Sequence, residues 1–281
     1  MLQNNPYIDN LLINNSKLKA FKHLFYLLRT PFSESFNFHT SKRCWAYWGY
    51  LGCPGKYYGI YPECKGYNIL SDGIKNSEFE LLHKIDIRIL LFNRFLRLSK
   101  PKKQYYLGLY PGKNDQNTAQ QILKPYQEKP LVFIQPGANL KIKKWHPEYF
   151  SKVTEWLDQR GYYCIFAGNI RETTEINQIT KDCKNTIKLG SNNSLLVLAS
   201  IIKQCEFVIS NDTGPMHIAE ALNKPIFSFF IKRHVIPAKP ITTSFQKLYI
   251  AENNGGYLTS PKPDTVIKDI KEAIAQRKFS Q

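Results

Sequence analysis

Between Leu131 and Phe230 the chain alternates short, unbroken apolar runs with segments of helical spacing, and this constrains its fold more than any other feature. A strand with one wet face alternates apolar and polar residues. Leu131-Val132-Phe133-Ile134 and Phe207-Val208-Ile209 do not alternate, so both of their faces must be covered. Helices are what cover them. Pro147 opens a pattern of Tyr149, Phe150, Val153, Trp156 and Leu157 that stops before Gly161. Proline in a first turn and glycine just past a last one are the expected helix boundaries. Tyr163 to Ala167 reads as the next strand, followed by a polar helix from about Arg171 to Lys181. Thr186 to Leu189 is a third strand. Ser194 is placed to cap a helix carrying Leu195, Leu198, Ala199 and Ile202. After the strand at Phe207 come a short helix from Pro215 to Leu222 and a strand from Pro225 to Phe230.

Strands alternating with helices define an α/β chain with a parallel sheet, here a Rossmann-like domain spanning 128–262. Pro263-Asp264 opens a last amphipathic helix within 263–281, with Val266, Ile267, Ile270, Ala273 and Ile274 on one side. Residues 1–127 are less regular and read as a separate domain plus a linker. Leu11-Leu12-Ile13, Ser35–His39 and Tyr57–Ile60 are candidate strands there, and Lys17–Leu28 a candidate helix. Glu78–Leu98 has helical spacing with Lys84, Arg88, Arg94 and Arg97 interspersed. It reads as a core-facing helix with a basic outer face in preference to one lying on a membrane. The polar stretch Gly112–Lys129 holds one short helix and the linker.

The formal charge of +17 suits anionic partners: nucleic acid, anionic lipid or a diphosphate substrate. It equally suits a merely Lys-, Ile- and Asn-rich composition, so charge alone does not decide the partner. Nucleic acid is disfavoured, because Lys and Arg are scattered and no reader motif is present. Trp45, Tyr47, Trp48 and Tyr50 beside Lys42 and Arg43 are the one suggestive patch, and packing accounts for them better. The six cysteines form no C-x-x-C pair, and Cys44, Cys53 and Cys64 with His39 are too irregularly spaced for a metal site. No metal or cofactor is expected, and a reduced, cytoplasmic setting is the simpler reading. The N-terminus lacks the apolar core of a signal peptide, and no run of about 18 apolar residues exists. A soluble protein, at most peripheral on a membrane, is expected.

The most informative segment is Ser210-Asn211-Asp212-Thr213-Gly214-Pro215-Met216-His217. The carboxyl end of a parallel strand feeding a helix is where α/β proteins bind ligands. The first helical turn offers unpaired N–H groups to a phosphate. Gly214 lets backbone approach closely, Thr213 adds a hydroxyl and His217 a ring donor. Asp212 cannot bind phosphate and suits the hydroxyls of a sugar. For the isolated Asp212-Thr213 pair, helix capping is the competing explanation.

The full string from Ser210 to Pro225 closely resembles the donor-site signature of the glycosyltransferase family 9 enzymes, the heptosyltransferases of lipopolysaccharide assembly. The resemblance continues back through Ser194-Leu195-Leu196 and Ile187-Lys188-Leu189-Gly190 to Lys143-Lys144-Trp145-His146-Pro147-Glu148 and Gln135-Pro136-Gly137-Ala138. It implies the GT-B arrangement of two Rossmann-like domains. It also implies transfer of a heptose or similar sugar, with inversion, from a donor such as ADP-heptose to a lipopolysaccharide core acceptor. Lys143 matches the family's phosphate-contacting Lys, and Glu172, more loosely, an acidic residue on the nucleotide's ribose. Asn5-Pro6-Tyr7-Ile8-Asp9 resembles a stretch well inside the family's first domain, so that domain is expected to be N-terminally incomplete. The Asp proposed as general base in the family has no counterpart, and no catalytic residue is assigned. His83 and Asp86 are explained by helix packing. A binding-only remnant is the alternative this implies. Beyond Phe230 the chain departs from the family pattern, with Lys232, Arg233 and His234 expected to add positive charge near the donor.

Overall fold

Each apolar run read as a strand between 131 and 230 is a strand of one parallel sheet. A computed structural model describes residues 3–10, 34–37, 56–61, 72–75, 82–96, 107–253, 255–276 and 278, together with Lys22, Tyr26 and Arg29. The chain forms two compact units, Asp9–Gln104 and a larger one made of Met1–Ile8 with Tyr105–Gln281.

In the smaller unit, β1 (Glu34–Asn37), β2 (Lys56–Tyr61) and β3 (Asp72–Lys75) form a parallel sheet in the order β1-β2-β3. Helix α1 (Lys84–Leu96) follows. His83, just before it, is buried, and its Nδ1 accepts a hydrogen bond from the Ile85 N–H at 3.2 Å, so the ring serves the helix start. The expected strand at Leu11–Ile13 lies outside the described residues. Of the helix expected over Lys17–Leu28, Lys22 and Tyr26 are described, and both are helical.

The larger unit begins with α2 (Lys113–Leu123), whose Ala119 and Leu123 are fully buried. Then come β4 (Leu131–Gln135), α3 (Pro147–Asp158), β5 (Tyr163–Ala167), α4 (Thr173–Ile179), β6 (Thr186–Leu189) and α5 (Leu195–Gln204). β7 (Phe207–Asn211), α6 (Gly214–Ala221), β8 (Ile226–Ile231), α7 (Lys232–Ala238), β9 (Gln246–Ala251) and α8 (Pro263–Ala275) complete it. The boundaries have local causes. Ser194 Oγ accepts from the Val197 N–H at 3.1 Å and caps α5, and Gly161 takes φ +78° where α3 ends.

The strands lie in the order β6-β5-β4-β7-β8-β9, all parallel. Side chains alternate between faces, and each face has its own core. Phe133, Ile165, Ile187, Val208, Ile226 and Phe230 pack with α2, α5 and α6 on one side. Val132, Ile134, Phe166, Phe207, Ile209, Phe227 and Phe229 pack with α3, α4 and α8 on the other. Two apolar layers are why β4, β7 and β8 show no polar alternation.

Candidate functional site

Strand order reverses between β4 and β7: from β4 the chain moves outward to β5 and β6, and from β7 to β8 and β9. The loops leaving the carboxyl ends of these two neighbours diverge, and the gap between them is where open α/β sheets take ligands. A crevice of about 310 Å³ occupies it. Gln135, Gly137 and Ala138 line it from β4, Gly168 and Glu172 from β5, and Gly190 and Ser191 from β6. Thr213, Gly214 and Pro215 line it from β7.

The α6 end of this crevice is built to receive a charge. Thr213 occupies the N-cap position, yet its side chain caps nothing. Its hydroxyl donates to the Asn211 carbonyl at 3.3 Å and lies 3.3 Å from Ser210 Oγ. No side chain therefore occupies the first-turn N–H groups, which retain the partial positive charge of a helix start. A Cβ on Gly214 would meet nothing within 4 Å, so the backbone there stands open.

Lys143 is fixed from below by its neighbours. Trp145 is fully buried, stacked on Phe229 at 4.1 Å, and its Nε1–H donates to the Pro261 carbonyl at 2.9 Å. The strand-like bridge from Trp145 to Leu258 adds backbone bonds on either side of it: Leu258 N–H to the Lys144 carbonyl, 2.7 Å, and His146 N–H to the Leu258 carbonyl, 3.1 Å. With Trp145 anchored, Lys143 sits in the single 3₁₀ turn Lys141–Lys143 and reaches Asp212, with Nζ 2.7 Å from Oδ2. The two side chains are only 18% and 7% exposed, so Lys143 is not one of a run of solvated lysines. Lys144 pairs instead with Glu175 at 2.9 Å.

Glu172 lies between the loops after β4 and β5. Its Oε2 accepts from the Asn169 N–H at 2.9 Å, and it occupies space that any side chain at Gly137 would need. A Cβ at Gly168 would also meet Glu172 and Ile176. The two glycines at the strand ends thus make room for one carboxylate in the crevice wall.

The remaining sequence candidates are placed differently. Met216 is fully buried in the core beside Val208 and Ile218, so the structure does not bring it to the crevice. His217 does not line the crevice either. It turns to Glu220, with Nδ1 3.2 Å from Oε2. Lys232 begins α7 and bonds Glu252 on the surface at 2.6 Å.

Two residues that the sequence analysis included in the Ser210–Pro225 string without assigning a role organise this region. Asn211, fully buried, donates from Nδ2 to the Pro136 carbonyl at 2.6 Å and accepts at Oδ1 from the Trp145 N–H at 2.9 Å. It ties β7 to both ends of the loop after β4, which carries Lys143. Glu220, 2% exposed, accepts from the Ile241 N–H at 2.6 Å and from the Thr242 N–H and hydroxyl. Burial alone would raise its carboxyl, but the hydrogen bonds from His217 and from the Ile241 and Thr242 N–H groups outweigh burial and hold it below the usual carboxylate range. A charge between Ala219 and Ala221 on a short, otherwise apolar helix was the available signal for Glu220.

A doubly covered parallel sheet with an uncapped helix N-terminus and one carboxylate, Glu172, at its switch-point crevice is the open α/β class that takes ligands at the carboxyl ends of its strands. Residues 55–262 match the family model described as glycosyltransferase family 9 (heptosyltransferase), and the chain belongs to that family. It is 26% identical over 176 residues to the lipooligosaccharide heptosyltransferase 2 of Haemophilus ducreyi, covering 55% of this chain and 51% of that protein. The chain thus spans about half the length of this curated relative. Among solved structures, a glycosyl transferase family 9 protein from Veillonella parvula superimposes with a TM-score of 0.79 at 16% identity, over 97% of this chain and 84% of that one. The E. coli ADP-heptose lipopolysaccharide heptosyltransferase II gives 0.73 at 18% identity, over 92% and 81%. These likenesses support the fold.

Proposed function

We propose that this protein transfers a heptose or related sugar from a nucleotide-diphosphate donor such as ADP-heptose to a lipopolysaccharide core acceptor, with inversion. The observation that carries the reading is the switch-point crevice lined by Glu172, Thr213 and the start of α6, with the Lys143–Asp212 ion pair formed by the loops that leave the same ends of β4 and β7. Residues 128–262 are read as the donor domain, completed by the helix within 263–281. Residues 1–127 are read as the acceptor side and linker of a GT-B arrangement.

The diphosphate would lie on the open N–H groups of Thr213, Gly214 and Met216, and Glu172 would accept from the ribose hydroxyls. Asp212 would accept from hydroxyls of the sugar. In the reaction an acceptor hydroxyl oxygen bonds to the anomeric carbon from the face opposite the diphosphate, and the bond from that carbon to the phosphate oxygen breaks. The electron pair goes to the diphosphate, whose growing charge Lys143 and the α6 dipole would stabilise. The acceptor's proton goes to a base supplied from the acceptor side. The basic balance of +17 suits an anionic acceptor at the cytoplasmic face of a membrane. Among the described residues no helix is long and apolar enough to cross one. Family membership favours transfer over the binding-only remnant.

Calorimetric titration with ADP, UDP and GDP tests this reading. One nucleotide is expected to bind selectively, and Lys143→Ala to weaken it by roughly tenfold or more through loss of a charge-assisted contact. A folded chain that binds none of the three would remove the donor-site reading.

A further inference from the structure

The ion pair between Lys143 and Asp212 places one cation between two claims on it. Lys143 Nζ lies 2.7 Å from Asp212 Oδ2, and the pair is largely screened from water. Asp212 immediately precedes Thr213, the first residue of the α6 turn that lines the crevice. A diphosphate seated on that turn would bring its negative charge next to the Asp212 carboxylate and would draw on the same Lys143 Nζ. The carboxylate has no other partner ready to take over, since its only close cation among the described residues is Lys143. A shielded carboxylate deprived of its cation is unstable unless new hydrogen bonds reach it. A bare nucleoside diphosphate has only its ribose hydroxyls, which the donor-site reading gives to Glu172, and so brings no donor to Asp212. A nucleotide sugar does, through its hydroxyls.

Resting on the donor-site reading above, we propose that Asp212 sets the preference of this site for nucleotide sugar over bare nucleoside diphosphate. It does so by competing with the diphosphate for Lys143. The sugar-bearing donor releases Lys143 by satisfying Asp212 with its hydroxyls. Once the sugar has been transferred, Asp212 regains Lys143 and weakens the hold on the diphosphate product. One residue thus favours donor entry and product exit, and its removal should act in opposite directions on the two ligands.

The test measures ADP and ADP-heptose affinity by calorimetry for the native chain, Asp212→Asn, Lys143→Ala and the double variant, with thermal unfolding confirming that each is folded. Asp212→Asn keeps the shape and a hydrogen-bonding group while removing the charge. It is expected to tighten ADP roughly tenfold and to leave ADP-heptose unchanged or weaker, so that the preference between them collapses. The ADP gain is expected to shrink in the Lys143→Ala background, because no cation remains to be freed. Weaker or unaltered ADP binding by a folded Asp212→Asn would overturn the proposal, and so would an equal gain with and without Lys143. If Lys143→Ala leaves ADP affinity untouched, the donor-site reading itself has failed, which is a separate result. Should Asp212→Asn not fold, Asp212→Ser supplies the same comparison.

Discussion

The two edges of the six-stranded sheet hold similar ionisable groups and treat them in opposite ways. At the carboxyl edge, Lys143 and Asp212 meet at 2.7 Å on the loops beside a crevice whose walls include Gly137, Gly168, Gly190, Gly214 and the Glu172 carboxylate. At the amino edge, Glu206, Lys224, Tyr162 and Cys205 gather where the chain enters β7 and β8. Burial is the leading cause there. It raises Glu206 and Tyr162, lowers Lys224 and pushes Cys205 up to about 12. Every one of these shifts is toward the neutral form, the mark of desolvation. The amino edge is therefore one partly covered by packing, with Cys205 buried and Tyr162, Glu206 and Lys224 half-buried. A perturbed ionisation is a common sign of a functional site, but here the perturbed cluster and the crevice lie at opposite ends of the strands. Open backbone N–H groups distinguish the candidate edge.

The comparison breaks most visibly at Asn211. Replacing it with Ala would strand the Trp145 N–H and the Pro136 carbonyl in a dry interior, each of which now has one short bond to that side chain. Asn211→Ala is expected to cost about 3 kcal/mol in denaturant unfolding and to loosen the Lys143 turn. A loss under about 1 kcal/mol would show that water reaches both groups, and the carboxyl edge would not be held as described.

Gly137→Ala sharpens it next. The new methyl group would collide with the end of the Glu172 side chain, which is flexible and can swing aside. The fold should therefore keep its melting temperature to within a few degrees, while ADP affinity falls about tenfold as the carboxylate leaves the crevice wall. If Glu172→Ala alone leaves ADP affinity unchanged, Glu172 has no part in binding the ribose.

How much of this was legible follows from the same contrast. β4, β5, β7 and β8 were readable because apolar layers on both faces suppress the apolar–polar alternation, leaving only Gln135, Ser210, Asn211 and Ser228 as polar positions in them. β9, Gln246–Ala251, escaped notice: it is an edge strand with exposed Gln246, Lys247 and Ile250. β3 is only Asp72-Gly73-Ile74-Lys75, with one large apolar residue to signal it. α7 was hidden by Pro237 inside a short, basic segment. The candidate site was legible as a place, the end of β7 before a helix, but not as a set of contacts. Asn211 bonds residues 75 and 66 positions away, and no local pattern records such a distance. Met216, inside the most telling string, proved to be a core residue because a helix of eight residues must turn one side inward.

The smallest expected effect lies at the amino edge and carries a sign. Glu206 is raised in the folded chain, chiefly by burial and against the lowering influence of Tyr162 and Lys224. A raised carboxyl contributes stability that is fully present below its unfolded value and is lost as pH rises through its folded value. At neutral pH the ionised, half-buried carboxylate therefore works against folding, and Glu206→Gln removes that burden. The variant is expected to be more stable than the native chain at pH 7, by less than about 1 kcal/mol because solvent still reaches the group. Its advantage should fade as pH falls below the ordinary carboxylate range, where the native residue is neutral as well. ADP affinity should not move at either pH. A change in nucleotide binding without a change in stability would mean that the two edges are coupled through the sheet, and their separation into a working edge and a packed one would have to be abandoned.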